Sequence, residues 1–240
     1  MSNFTTNNKI AEIVEHDSNL LSVLNRFGIK LGFGDISVHQ ACINNNIDED
    51  FFLAILNVYH NDNYFPEHKF ANFKIIDIIS YLIETHKSYT THTLPEIDRL
   101  FNQLLSNNTV HKDLFQILEK IYSSFKDEFN NHIKYEEQKI FPLIIKLANN
   151  EKELNHNKIK LSDFNFINIH SQFDDKIIDI KNILIKYLPP IEDTFICNAF
   201  AIAIFKFEKD LKDHSRIEDR ILYPRVNHLY NQSTSSHVEE

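Results

Sequence analysis

Glycine is nearly missing from this chain of 240 residues: there are three, and Gly28, Gly32 and Gly34 all fall in one short stretch. Phosphate-cradling loops and dinucleotide fingerprints need glycine where backbone meets phosphate, and tight hairpins need it at positive φ. The scarcity argues against a P-loop, a Rossmann fingerprint and a turn-rich β fold. Tryptophan is absent, and the two cysteines, Cys42 and Cys197, form neither a CxxC pair nor a disulfide framework. Basic charge is short as well. Lys+Arg number 25 against 34 Asp+Glu, a formal charge of −9, with no basic face of the kind nucleic acid requires. No apolar run approaches the ~20 residues that span a bilayer. The opening MSNFTTNNKI lacks the basic-then-apolar order of a signal peptide. These absences predict a cytoplasmic, soluble, all-α protein with no nucleic-acid and no membrane partner. What the chain does have, unusually for an acidic protein, is 13 histidines.

Periodicity divides the chain in two. From Ile10 to Tyr59 the pattern is of short helices. IAEIVEHDSNLLSVLNRFGI carries apolar residues at helical spacing up to Gly28, a natural C-cap. Asp35 or Ser37 can cap the helix through Cys42, and Asp48 the helix DEDFFLAILNVY. The polar stretch HNDNYFPEHKFAN, with Pro66, reads as a linker. The expected organisation is a small helical domain over 1–65, a linker over 66–72, a bundle over 73–230 and a disordered tail over 231–240.

The bundle is predicted from four long amphipathic segments. The first runs from about Phe73 to Leu105, with Ile75, Ile79, Leu82, His86 and Tyr89 on one stripe and Pro95 inside it as an expected kink. The second, Val110 to Ala148, aligns Phe125, Phe129, His132, Glu136, Ile140, Leu143 and Leu147. The third, Ser162 to Tyr187, aligns Phe166, His170, Phe173, Ile177, Ile180 and Leu184, and Pro189-Pro190 ends it. The fourth, Asp193 to Tyr230, aligns Phe200, Ala203, Phe207, Leu211, His214, Glu218 and Leu222. Short connections argue an up-down-up-down arrangement.

An internal repeat carries the chemistry. HIKYEEQKIFP begins at His132 and HSRIEDRILYP at His214; each is His-x3-Glu, then an acidic residue, then an aromatic-Pro pair. The other two segments each place one histidine on the inward stripe, His86 and His170. Residues four apart on a helix lie about 6 Å apart along its axis and about 40° apart around it, so a His and a Glu so spaced can reach one metal or two neighbours. Two helix hairpins related by a pseudo-twofold axis would bring His86, His132, Glu136, His170, His214 and Glu218 to one level of the core. Four imidazoles and two carboxylates without thiolate suit a borderline first-row metal such as iron or manganese, with zinc admissible. A single HxxxE means little, and an inward histidine is more often a hydrogen-bonded core residue. Two matched copies with matched prolines are another matter, because inward Glu136 and Glu218 are costly to bury without compensation. His16, His39, His60, His68, His92, His111, His156, His228 and His237 read as solvated; Glu137 and Asp219 either face solvent or steer an imidazole N–H. Tyr81, Tyr89 and Tyr135 either line the site or pack.

At this point the sequence resembles the hemerythrin-like (HHE) domain, and more specifically the repair-of-iron-centres proteins. Those are di-iron proteins implicated in mending iron–sulfur clusters after nitric oxide or oxidative damage. The resemblance rests on THKSYTTHTLPEI, HIKYEEQKIFPLI, His170 and FEKDLKDHSRIEDRILYP, and, ahead of the bundle, on LNRFGIKLGFGDISVHQAC and IDEDFFLAILN. It implies an all-α, hemerythrin-like four-helix bundle preceded by a small helical domain. Its implied site is two non-haem iron ions held by His86, His132, Glu136, His170, His214 and Glu218, with Glu136, Glu218 and an oxo group as bridges. The implied function is iron–sulfur cluster repair or iron donation under nitrosative or oxidative stress, with O2 and NO as ligands, iron–sulfur proteins as partners and a homodimer admitted. The alternative is a hemerythrin-type sensor or store for O2, NO or iron. One departure bears on that choice: where many family members carry a Cys-Cys pair, this chain has Gly32-Phe33.

Overall fold

The computed structural model describes residues 2–107, 112–149, 167–191 and 194–227; for residues 107 and 167–171 it describes backbone only. Every named element among them is helical, and the one isolated bridge joins Lys9 to Ser37. The expected breaks at SNNT and NNEKELNHNK, the stripe position Phe166 and the tail 231–240 lie wholly or partly outside the described residues.

Contacts group the chain into two compact units, Met1–Thr85 with Arg216–Arg225, and His86–Ser215 with Val226–Glu240. The first contains α1 (Ile10–His16), α2 (Leu20–Arg26), α3 (Val38–Asn45), α4 (Glu49–His60), α5 (Glu67–Phe70) and most of α6 (Ile75–Ser88). The helix predicted to run unbroken to Gly28 is interrupted after His16. There the Asp17 carboxylate accepts the Asn19 N–H at 3.1 Å, a local turn that competes with the helix. Gly28 does close α2, at φ +77°. Ser37, rather than Asp35, caps α3 by accepting the Gln40 N–H, and Asp48 caps α4 by accepting that of Phe51 at 2.8 Å. The stretch 66–72 contains α5, whose Phe70 is fully buried. Arg225 donates to the carbonyls of Phe70 and Phe73, and Arg216 to those of Asp62 and Tyr64, while Arg216 and Arg220 both lie against the Phe65 ring. His60 is a correction: it is buried rather than solvated, because its Nδ1 meets Asp17 at 3.1 Å and Phe4 covers its ring.

The second unit holds α7 (Leu94–Asn107), α8 (Lys112–Tyr135), α9 (Phe141–Ala148), α10 (Ile167–Asn182) and most of α11 (Thr194–Ile217). Its core is aromatic: Phe125 and Phe129 pack against Phe173 and Phe207, and Phe101 and Tyr122 against Phe200. Phe125, Phe129, Phe173, Phe200 and Phe207 are predicted stripe positions of three different segments, as a bundle with inward apolar faces requires.

Each long segment contains a π-turn, a single widened turn, at Tyr89–Thr93, Glu136–Ile140, Ile183–Tyr187 and Glu218–Leu222. The residue after each donates its N–H to the carbonyl five back, and the next residue along is a proline: Pro95, Pro142, Pro189 and Pro224. For Pro95, Pro142 and Pro224, which lie within continuing helix, the reason is steric. A helix-interior proline lacks an N–H and drives its ring into the carbonyl four residues back, at about 3 kcal/mol. A widened turn moves that carbonyl aside. The extra residue also shifts the inward face over the next turn, although Leu147, a predicted stripe position, stays buried. Phe141 and Ile144 are therefore fully buried after Ile140, where unbroken periodicity predicts Leu143, which is only half-buried.

Candidate metal centre

The candidate ligands lie near the ends of long helices and at the π-turns that follow them. His86 is on the last turn of α6 and His132 on the last turn of α8. Glu136 opens the π-turn that follows α8, His214 lies in the last turn of α11, and Glu218 opens the π-turn that follows it. His86, His132 and His214 are 1%, 9% and 3% exposed, and both glutamates 0%. His170 lies in α10; its side chain is outside the described residues. Three residues along α10, Phe173 packs its ring against that of His132 at 5.2 Å.

Three imidazoles and a carboxylate are linked by close approaches. His86 Nε2 lies 3.1 Å from His214 Nε2 and 3.5 Å from Glu136 Oε2, and the same oxygen is 3.3 Å from His132 Nε2. Glu136 thus stands between histidines of two different helices. Glu218 follows His214 by one turn of a continuous helix, repeating the His132–Glu136 relation. Behind the cluster, His86 Nδ1 meets Glu137 Oε1 at 3.1 Å, so Glu137 takes the imidazole-steering role rather than the purely solvated one. A His86 ring that donates Nδ1–H to Glu137 and carries no second proton presents the lone pair of Nε2 to the cluster. The ring lies flat on Phe141, 5.7 Å between centroids and 14° between planes, which limits its rotation. Tyr89 is fully buried, edge-on to His214 at 5.7 Å. Of the other two tyrosines, Tyr81 packs on Phe27 in the first unit and Tyr135 is 45% exposed.

The donor set fits a metal. Two atoms bound to one first-row ion at about 2.1 Å each lie about 3.0–3.4 Å apart, close to the separations of 3.1, 3.3 and 3.5 Å seen here. Charge points the same way. A carboxylate at 0% exposure needs compensating positive charge. Two Nε2 atoms facing at 3.1 Å hold at most one proton between them, so protonating both rings is a poor source of it. Nitrogen and carboxylate donors without sulfur keep iron, manganese and zinc all chemically reasonable.

Residues 92–226 match the hemerythrin HHE cation-binding domain. The chain belongs to that family. The matched span includes His132, Glu136, His170, His214 and Glu218 and begins six positions after His86. Along nearly its whole length this HHE chain is similar to the iron-sulfur cluster repair protein ScdA of Staphylococcus haemolyticus, with 22% identity over 228 residues, 93% of this chain and 99% of that one. It is also 27% identical over 157 residues to a Haemophilus influenzae protein named "Probable iron-sulfur cluster repair protein", covering 62% of this chain and 64% of the other. The resemblance read from the two HxxxE copies is met at family level, and so is the all-α, hemerythrin-like fold. No helix among the described residues is long and apolar enough to cross a membrane.

Proposed function

We propose that this HHE protein is a non-haem di-iron protein that serves iron–sulfur cluster repair, or donates iron to damaged clusters, under nitrosative or oxidative stress. The observation that carries this reading is the buried convergence of His86, His132, Glu136 and His214 at 3.1–3.5 Å. The names of its relatives supply the biological direction. His86, His132, Glu136, His170, His214 and Glu218 would hold the metal. Iron in this setting supplies ferrous–ferric redox chemistry and an affinity for O2 and NO. The chain's own contribution is positional. Glu137 and Phe141 fix the His86 ring, the buried glutamates offset cationic charge, and the phenylalanine core excludes bulk water. Iron that leaves for an acceptor cluster is cargo, and neutral imidazoles release it more readily than thiolates would.

A second reading, a sensor or store for O2, NO or iron without repair, draws on one observation. The turn holding Gly32-Phe33 carries no thiol, and the nearby Cys42 is 2% exposed with its thiol pushed up by burial to about 12. No thiolate is therefore available there to handle a cluster or an electron.

The test is anaerobic purification, iron quantification per chain, and absorption spectra before and after O2 and NO. About two irons per chain with gas-responsive charge-transfer bands supports the di-iron reading. Transfer of that iron to a damaged iron–sulfur protein separates repair from sensing. A protein holding no iron, or one inert zinc, sinks both.

A further inference from the structure

The prolines of the two HxxxE copies do more than punctuate the sequence. Glu136 and Glu218 each occupy the first position of a π-turn, and the peptide carbonyl of each accepts the N–H of the aromatic residue that precedes the proline, Phe141 or Tyr223. Pro142 and Pro224 sit within continuing helix, since helical backbone resumes through Phe141–Ala148 and through 223–227. Pro189 stands apart: Leu188 before it is extended, and the helix has ended. Pro95 is also in-line, but its π-turn opens on Tyr89, three residues beyond His86, rather than on a carboxylate. The two in-line prolines that follow a glutamate therefore act on the glutamate's own turn. The same turn decides where the aromatic residue goes: Phe141 is 1% exposed and lies flat on His86, and Tyr223 is 4% exposed.

We propose that Pro142 and Pro224 are positioning residues of the metal centre. Each forces the widened turn that holds Glu136 or Glu218 at its start and swings the following aromatic side chain inward. This inference rests on the metal reading above. Its physical logic is a trade-off, because an interior proline is a poor helix residue, and its retention at matching places in both half-repeats exchanges helix stability for ligand geometry. The two consequences of removing it then have opposite signs, which a proline of purely structural effect does not produce.

The test uses the full chain with Pro142→Ala, Pro224→Ala and, as control, Pro189→Ala. Two quantities are read: urea stability of the metal-free protein, and ferrous iron affinity by anaerobic competition against a chelator of known affinity. Pro142→Ala and Pro224→Ala should leave the metal-free protein as stable or more stable, yet weaken iron binding at least tenfold. Pro189→Ala should leave iron affinity within twofold of the parent. Unchanged iron affinity in the first two variants, with the parent binding iron, overturns this inference and leaves the metal reading intact. If one variant does not fold, its counterpart in the other half-repeat decides by the same criterion; failure of both to fold overturns the inference, since the prolines are then needed for folding itself. A parent that takes no iron overturns both readings.

Discussion

His86 is held by four neighbours: Glu137 on Nδ1, Phe141 on one ring face, and His214 and Glu136 toward Nε2. Glu137 is the least buried of these, with a side chain 36% exposed, so replacing it leaves no buried charge stranded. Glu137→Gln should therefore lower iron affinity about tenfold, by loosening the ring's orientation and basicity, and change the urea stability of metal-free protein by less than about 0.5 kcal/mol. Equal loss of both would mean that Glu137 supports the fold and not the ligand. Cys42 gives a second prediction of known sign. Its thiol is neutral when folded, with a pKa raised from 9.0 to about 12 by burial first and by Glu49 and Asp48 next. A group whose folded pKa is raised contributes stability that is whole below its unfolded value and is lost as pH rises toward the folded one. Stability should thus be flat with respect to this group below pH 9 and fall between 9 and 12, by up to about 1.4 kcal/mol per pH unit. Cys42→Ala should lower stability at neutral pH but remove that alkaline slope, as chemical denaturation across pH would show.

At the scale of helices, ion pairs hold α10 to α11 where they leave the aromatic core. Lys181 on α10 and Lys212 one turn along α11 both reach Glu208, at 2.6 and 3.1 Å. Burial alone would push the Glu208 carboxyl up, but hydrogen bonds from Lys181 and Lys212 outweigh it and hold it below the usual carboxylate range. A lowered folded pKa contributes stability above the unfolded value, about 4.3 for Glu, and this is lost as pH falls through the folded one. Acid unfolding should therefore draw partly on this group below about pH 4. Glu208→Gln should cost about 1 kcal/mol at neutral pH and flatten the acid limb of the stability profile. An unaltered limb would show that the pair contributes nothing to it. The π-turns belong to this scale too, since each alters which residues face inward over the turn that follows.

For the molecule as a whole, metal binding at the proposed site would be linked to folding, because its candidate ligands come from helices far apart in sequence. Iron loading should raise the unfolding midpoint, with about 2.7 kcal/mol of added stability at free iron a hundred times the dissociation constant. Removing iron with a chelator should reverse the gain. His132→Ala and His214→Ala should abolish it while leaving a folded helical protein, read by circular dichroism and thermal melting with and without iron. A gain that survives both substitutions would place the iron elsewhere.

Much of this was open to reading from residue order alone. Amphipathic spacing and scarce glycine predict helix, and helix is what the described residues form. The HxxxE copies predict the glutamates and histidines that turn out to be buried, because a 3.6-residue repeat puts positions four apart on one face whatever the fold does next. The caps at Ser37 and Asp48 are equally local. What the sequence by itself could not determine is everything that depends on a neighbour distant in the chain. Unbroken periodicity chose Leu143 where the widened turn buries Phe141 and Ile144, since the carbonyl displaced by Pro142 leaves no trace in hydrophobicity. His60 looked solvated because Asp17, 43 positions earlier, is brought to it only by the packing of short helices. Glu137 remained undecided between solvent and imidazole for the same reason, its partner being 51 positions away on another helix. Residue order determined that His86, His132, Glu136, His214 and Glu218 face inward. The tertiary structure decided which of them meet, because donor atoms 3.1 Å apart in space are up to 128 residues apart along the chain.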